Sequence, residues 1–183
     1  MAVDVSDVLF VAGTKNLSGI KTEAYWCKKS DIATFPSLPA VPTTLGELVT
    51  IDDDFVFEDG KCWKKFYTTL EAGEIVSTRE GPTDHGGWRN KATLAVPRND
   101  SSGLGAAALS TNGEFVILVK EPATGYLRLI GNDYCTGARV MEGESKSGKQ
   151  LTESKGVVIT FYDVANEPAC IYTGELQLEP SES

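Results

Sequence analysis

Glycine and proline punctuate this chain more than any other feature: 18 Gly and 8 Pro in 183 residues cut it into short runs, most of them rich in β-branched and aromatic side chains. A chain divided this way has little room for long helices and folds most readily as many short strands joined by turns. The strongest single signal is Asp59-Gly60, which lies between the runs 48–58 (LVTIDDDFVFE) and 61–69 (KCWKKFYTT). A type I′ turn needs positive φ at its centre, so Asp-Gly between β-rich runs predicts a hairpin.

Further strands are expected at 7–12 (DVLFVA), 22–29 (TEAYWCKK), 74–80 (EIVSTRE), 90–96 (NKATLAV) and 137–142. Residues 114–120 and 126–130 flank Pro122 and Gly125 and read as a second hairpin. Residues 156–163 and 169–178 flank Pro168 and read as a third. Two segments are expected as long loops: 34–47, which holds three prolines, and the polar stretch 143–155. Helix is expected only at 101–112, with Ser101 or Ser102 as N-cap and Gly113 as a left-handed C-terminal cap. The expected fold is a mainly β sandwich or barrel with one short flanking helix. We read residues 1–183 as a single domain, with 1–47 as an N-terminal arm and Pro-rich loop and 48–178 as the sandwich core.

The chemistry of catalysis is hard to find in this sequence. The only histidine, His85, stands in TDHGGW among turn formers, which places it in a loop rather than in a Ser/His/Asp site. There is no GxSxG elbow and no phosphate loop; Lys146 and Lys149 around Gly143–Gly148 follow no strand that runs into a helix. Asp52, Asp53 and Asp54 lack the alternating pattern of a calcium loop. Cys27, Cys62, Cys135 and Cys170 are widely spaced, form no CxxC pair, and are expected as unpaired thiols. No zinc site, cofactor or enzymatic activity is expected. The opening MAVDVSDVLFVAG has no basic region, and Asp4 and Asp7 break its apolar run, so no secretory leader is expected either. No apolar stretch approaches the roughly 20 residues a membrane helix needs.

A net charge of −9 argues against a surface that grips nucleic acid by neutralising phosphates. It is compatible with a surface that nucleic acid slides past.

The order of several pieces resembles the tail tube (major tail) proteins of tailed bacteriophages. These are the strand ending at Ser77-Thr78-Arg79-Glu80-Gly81-Pro82, the strand closing on Leu94-Ala95-Val96-Pro97, and the small-residue helix 101–112. The hairpin from Phe115-Val116-Ile117-Leu118-Val119 to Leu127-Arg128-Leu129-Ile130-Gly131 follows, then Gly156–Phe161, then the turn at Pro168 leading to Ile171-Tyr172-Thr173-Gly174. The resemblance covers roughly residues 48–178 and lies in element order. It implies a structural virion protein, made in a bacterial cytoplasm, whose six copies close into a ring. The inner strands of the ring would make a continuous barrel, and stacked rings would form a tube for DNA. It implies no catalytic residues, and partners limited to further copies, other virion proteins and passing DNA, with no membrane.

Within that reading, Ile51, Phe55 and Phe57 share one parity and Asp52 and Asp54 the other, so Asp52 and Asp54 are the candidate channel-lining residues. A head–tail connector or capsid accessory protein is the alternative within the same class. A small-ligand- or carbohydrate-binding sandwich is the alternative from another class; its cue would be Trp26, Trp63 and Trp88 on one exposed face.

Overall fold

The computed structural model describes residues 3–9, 12–13, 17–133, 137–148 and 155–180. It is mainly β, with strands in three sheets and one α-helix. The strands are β1 (Glu23–Lys28), β2 (Ile32–Thr34), β3 (Thr50–Ile51), β4 (Val56–Phe57), β5 (Lys64–Tyr67), β6 (Glu74–Glu80) and β7 (Gly87–Val96). After the helix α1 (Ser101–Ser110) come β8 (Phe115–Lys120), β9 (Leu127–Ile130), β10 (Arg139–Lys146), β11 (Gly156–Ala165) and β12 (Ile171–Tyr172). A six-stranded sheet runs β3-β12-β9-β8-β1-β5, a four-stranded sheet runs β10-β11-β7-β6, and β2 pairs with β4.

The two larger sheets face each other across one core. Ala24, Phe66, Phe115, Ile117, Val119 and Ile130 come from the six-stranded sheet, and Ala92, Leu94, Val157, Ile159 and Phe161 from the four-stranded sheet. A second core covers the opposite face of the six-stranded sheet: Tyr25, Cys27, Val116, Leu118 and Leu129 meet Ile51, Phe55, Phe57 and Trp63. This double burial explains the run FVILV in β8, where every residue is buried. Alternate residues enter different cores, so the strand needs no polar face.

Several expectations change here. The Asp59-Gly60 turn forms, with Gly60 at φ 73° and Lys61 N–H donating to Glu58 O at 2.9 Å, but it does not join a hairpin. β3 pairs in parallel with β12, β4 pairs with β2, and β5 pairs with β1. The expected parity survives, since Ile51, Phe55 and Phe57 are buried while Asp52 and Asp54 are exposed. Each large apolar side chain buried on the sheet contributes about 1.5–3 kcal/mol. A cross-strand pair contributes roughly 0.2–1 kcal/mol. Wrapping the aromatics over β1 and β8 therefore outweighs keeping one long ladder.

The final hairpin is also absent. β12 leaves β11 and pairs with β9 and β3, so the Pro168 turn carries the chain from one sheet to the other. The stretch expected as an arm contains β1, a strand flanked on both sides by β8 and β5, so the core begins well before residue 48. The expected strand 7–12 does not form in its described part: residues 7–9 are irregular, and Val8 and Leu9 are 87% and 79% exposed. The acids interleaved there leave no one-sided apolar face to dock. In the segment 34–47, Phe35 and Leu38 pack on the second core. β10 continues through Lys146 into the stretch expected as a polar loop, while residues 149–154 lie outside the described part.

The helix is shorter and capped differently from the sequence expectation. Asp100, not a serine, is its N-cap, and its side chain accepts the Gly103 N–H at 2.9 Å. Thr111 at the C-terminal end is right-handed, and Gly113 is not among the positive-φ glycines. Gly113 instead lies where a side chain would strike the Phe115 ring. The small residues of α1 allow close approach: Ala106 and Ala107 pack on the first core.

Candidate functional site

The four-stranded sheet carries the most distinctive surface. Its central strands β7 and β11 are each 10 residues long and pair over nine consecutive residues, Trp88–Val96 with Val157–Ala165. Among the described residues, its outer strands, β6 with 7 residues and β10 with 8, each have one paired and one open edge. An open edge offers a row of unpaired N–H and C=O groups to another chain.

Because Asn90, Ala92, Leu94, Ile159, Phe161 and Asp163 point inward and are buried, their neighbours point away from the core. The outward face therefore carries Thr93 and Thr160, whose hydroxyls lie 3.2 Å apart, with Tyr162 beside them. Glu74, Glu80, Glu142 and Glu144 are interleaved with Arg89, Lys91 and Lys146. Arg89 donates to Glu80 at 2.8 Å and lies 5.3 Å from the Tyr162 ring centre; Lys146 pairs with Glu144 at 2.8 Å. The chain's net negative charge is thus not concentrated on this face.

Behind that face lies a polar node inside the protein. Asp163 is 3% exposed. Its Oδ1 accepts Asn90 Nδ2 at 2.9 Å, and its Oδ2 accepts Gly131 N–H at 2.6 Å and Asn132 Nδ2 at 3.3 Å. Burial raises the carboxyl above the usual aspartate range, against the opposing pull of these donors. Asn90 Nδ2 also donates to Glu167 O at 3.3 Å, while Asn90 Oδ1 is buried without a partner among the described residues. A cleft of about 360 Å3 borders the node, walled by Phe35, Leu38, Ile51 and Leu129. The node joins β7, β11 and the end of β9, and so pins the two sheets together. No sequence signal marks it, because the partners of Asp163 lie 31 to 73 positions from it.

The sequence candidates lie elsewhere. Asp52 and Asp54 follow β3, on the layer beyond the six-stranded sheet from β6, β7, β10 and β11. Asp54 Oδ1 accepts Glu175 N–H at 2.6 Å and so fixes the segment after β12. His85 lies in the exposed loop 81–86, where Arg79 donates to Pro82 O and Thr83 O, both at 3.1 Å. Lys146 belongs to β10, and Lys149 lies outside the described residues.

The three tryptophans form no common exposed face. Trp26 stacks on Phe115 with ring centres 5.4 Å apart, Trp63 is 1% exposed between Phe55 and Phe57, and Trp88 is half-buried at the start of β7. The cue for sugar stacking is therefore missing. Cys27, Cys62 and Cys170 are free thiols, and Cys135 lies outside the described residues. Among the described residues, no group of three or more His, Cys, Asp or Glu side chains is placed to hold a metal ion, and no helix is long and apolar enough to cross a membrane. Compared with protein-family models, with curated proteins and with solved structures, the chain matches none.

Proposed function

We propose that this protein is a virion ring protein whose six copies close, through the four-stranded sheet, into one segment of a bacteriophage tail tube. The observation that carries this reading is the pair of open edges on β6 and β10 of one long-stranded sheet. In a lone subunit those edges are an aggregation hazard. Joining β6 of one copy to β10 of the next removes both edges at once and extends the sheet around a ring.

The outward face of that sheet then becomes the channel wall. Threonines, two ion pairs and an excess of glutamates over the bases Arg89, Lys91 and Lys146 give passing phosphates no net cation to hold. On this reading Asp52 and Asp54 face the outside of the tube, because the six-stranded sheet separates them from the channel.

Size-exclusion chromatography with light scattering, followed by electron microscopy of concentrated protein, tests the reading. Hexameric rings or tubes with a central channel are expected. A protein that stays a monodisperse monomer at high concentration overturns it.

A further inference from the structure

The cleft beside the polar node joins apolar walls to an acidic lining. Its volume, about 360 Å3, falls within the roughly 300–1,000 Å3 typical of small-ligand clefts. Phe35, Leu38, Ile51 and Leu129 give it apolar sides, and all four belong to the second core or pack on it. Asp133, Asp163 and Glu167 also line it, while among the described residues no lysine, arginine or histidine does. A cleft lined in this way favours a cation over an anion.

At its inner end Asn90 and Asp163 are almost fully covered, at 1% and 3% exposure. The Asn90 amide cannot be turned round, because its Nδ2 donates to two acceptors, Asp163 Oδ1 at 2.9 Å and Glu167 O at 3.3 Å. Asn90 Oδ1 is thereby fixed as an acceptor, and it has no partner among the described residues. A buried acceptor left in that state favours an incoming donor. Asp163 is held by three amide N–H donors, and among the described residues it makes no ion pair.

The outer end already holds a cation of the chain itself. Lys29 Nζ lies 3.6 Å from Asp133 Oδ1 and 5.8 Å from the centre of the Phe35 ring. One acid and one aromatic ring of the cleft thus meet a primary ammonium, the ring through its negative face. Asp133 is satisfied by this contact, and the inner carboxylate is not.

We propose that the cleft binds a small organic cation, a primary ammonium on an aliphatic stem. The stem lies against Phe35, Leu38, Ile51 and Leu129. The ammonium donates to Asn90 Oδ1 and to the Asp163 carboxylate, and its third N–H faces the solvent side of the cleft. An ammonium suits this end because it has three donors and no acceptor, and every polar atom it meets there is an acceptor. The site does not depend on ring closure, so it stands or falls separately from the assembly.

Isothermal titration of the full-length protein with three probes sharing one stem tests the proposal: hexylamine, hexan-1-ol and hexanoate. Hexylamine should bind saturably, one per chain. Hexan-1-ol should bind at least about tenfold more weakly, because it lacks the charge-assisted hydrogen bonds, and hexanoate should not bind. Asp163→Asn should remove the preference for the amine over the alcohol. Leu38→Trp, at a half-buried wall position, should fill the cleft and weaken both probes while circular dichroism and melting stay those of the parent; it decides the matter if Asp163→Asn does not fold. Equal affinity for hexan-1-ol and hexylamine in the parent would overturn the proposal. So would the absence of saturable amine binding, or an amine affinity unchanged in Leu38→Trp.

Discussion

Asp163 accepts the backbone N–H of Gly131 at 2.6 Å, so a buried acid on β11 holds the turn that ends β9. The bond crosses from one sheet to the other, and Asn90 on β7 completes the clamp. Its carboxyl is raised by burial, so the folded state binds its proton more tightly than the unfolded state does. Stability from this group is therefore fully present below the unfolded value of about 3.9 and falls as pH rises toward the folded value. Asp163→Asn removes this titration. Urea midpoints of parent and variant, compared across that pH range, should show the parent's relative advantage shrinking with rising pH. Parallel pH profiles would show that Asp163 does not titrate in this window.

Phe115 links two aromatics, stacking on Trp26 with ring centres 5.4 Å apart and meeting Phe161 edge-on at 6.0 Å. It is 1% exposed. Phe115→Ala should cost about 3–5 kcal/mol by urea denaturation, from lost burial plus the cavity left behind. Trp63→Phe should be far milder than Trp63→Ala, because the buried Trp63 Nε1 has no partner to lose among the described residues.

Gly156 and Gly105 should respond oppositely to alanine. Gly156 has φ 145°, and an added side chain would run into Val96 O, so Gly156→Ala should cost at least about 1–3 kcal/mol. Gly105 is helical with open space around its missing side chain, so Gly105→Ala should stabilise by about 0.5–1 kcal/mol. Thermal unfolding of the two single variants checks both signs.

Ring closure through the four-stranded sheet makes its edges the sensitive positions. Val76 on β6 and Met141 on β10 are 39% and 37% exposed in the single chain. Val76→Lys with Met141→Lys should leave the circular dichroism spectrum and melting of the subunit nearly unchanged, since exposed substitutions cost little. The same pair should abolish rings in light scattering. Persistent rings would locate the subunit contact on another surface.

The two candidate channel surfaces can be separated by charge. Thr93→Lys with Thr160→Lys places cations on the outward face of the four-stranded sheet, and Asp52→Lys with Asp54→Lys places them beyond the six-stranded sheet. Only the threonine variant is expected to make assembled tubes retain DNA in a salt-dependent way. Retention by the aspartate variant alone would assign the channel to the segment after β3.

Local chemistry in the sequence determined the class of fold and most of its strands. Gly60 had to supply the positive φ of a turn, and FVILVK had to be a buried strand. The alternation of Ile51, Phe55 and Phe57 with Asp52 and Asp54 had to put apolar side chains on one side. Which strands would meet was settled only in three dimensions. A β run shows its buried face but not its neighbour, because ladder hydrogen bonds are alike for every partner, and the choice falls to whichever packing buries most apolar surface. So the arms flanking Gly60 parted to cover β8, and β12 crossed to β9. In the same way Asp163, Asn90 and Gly131 became one polar node, because no local spacing links residues that only the facing of two sheets brings within hydrogen-bond reach.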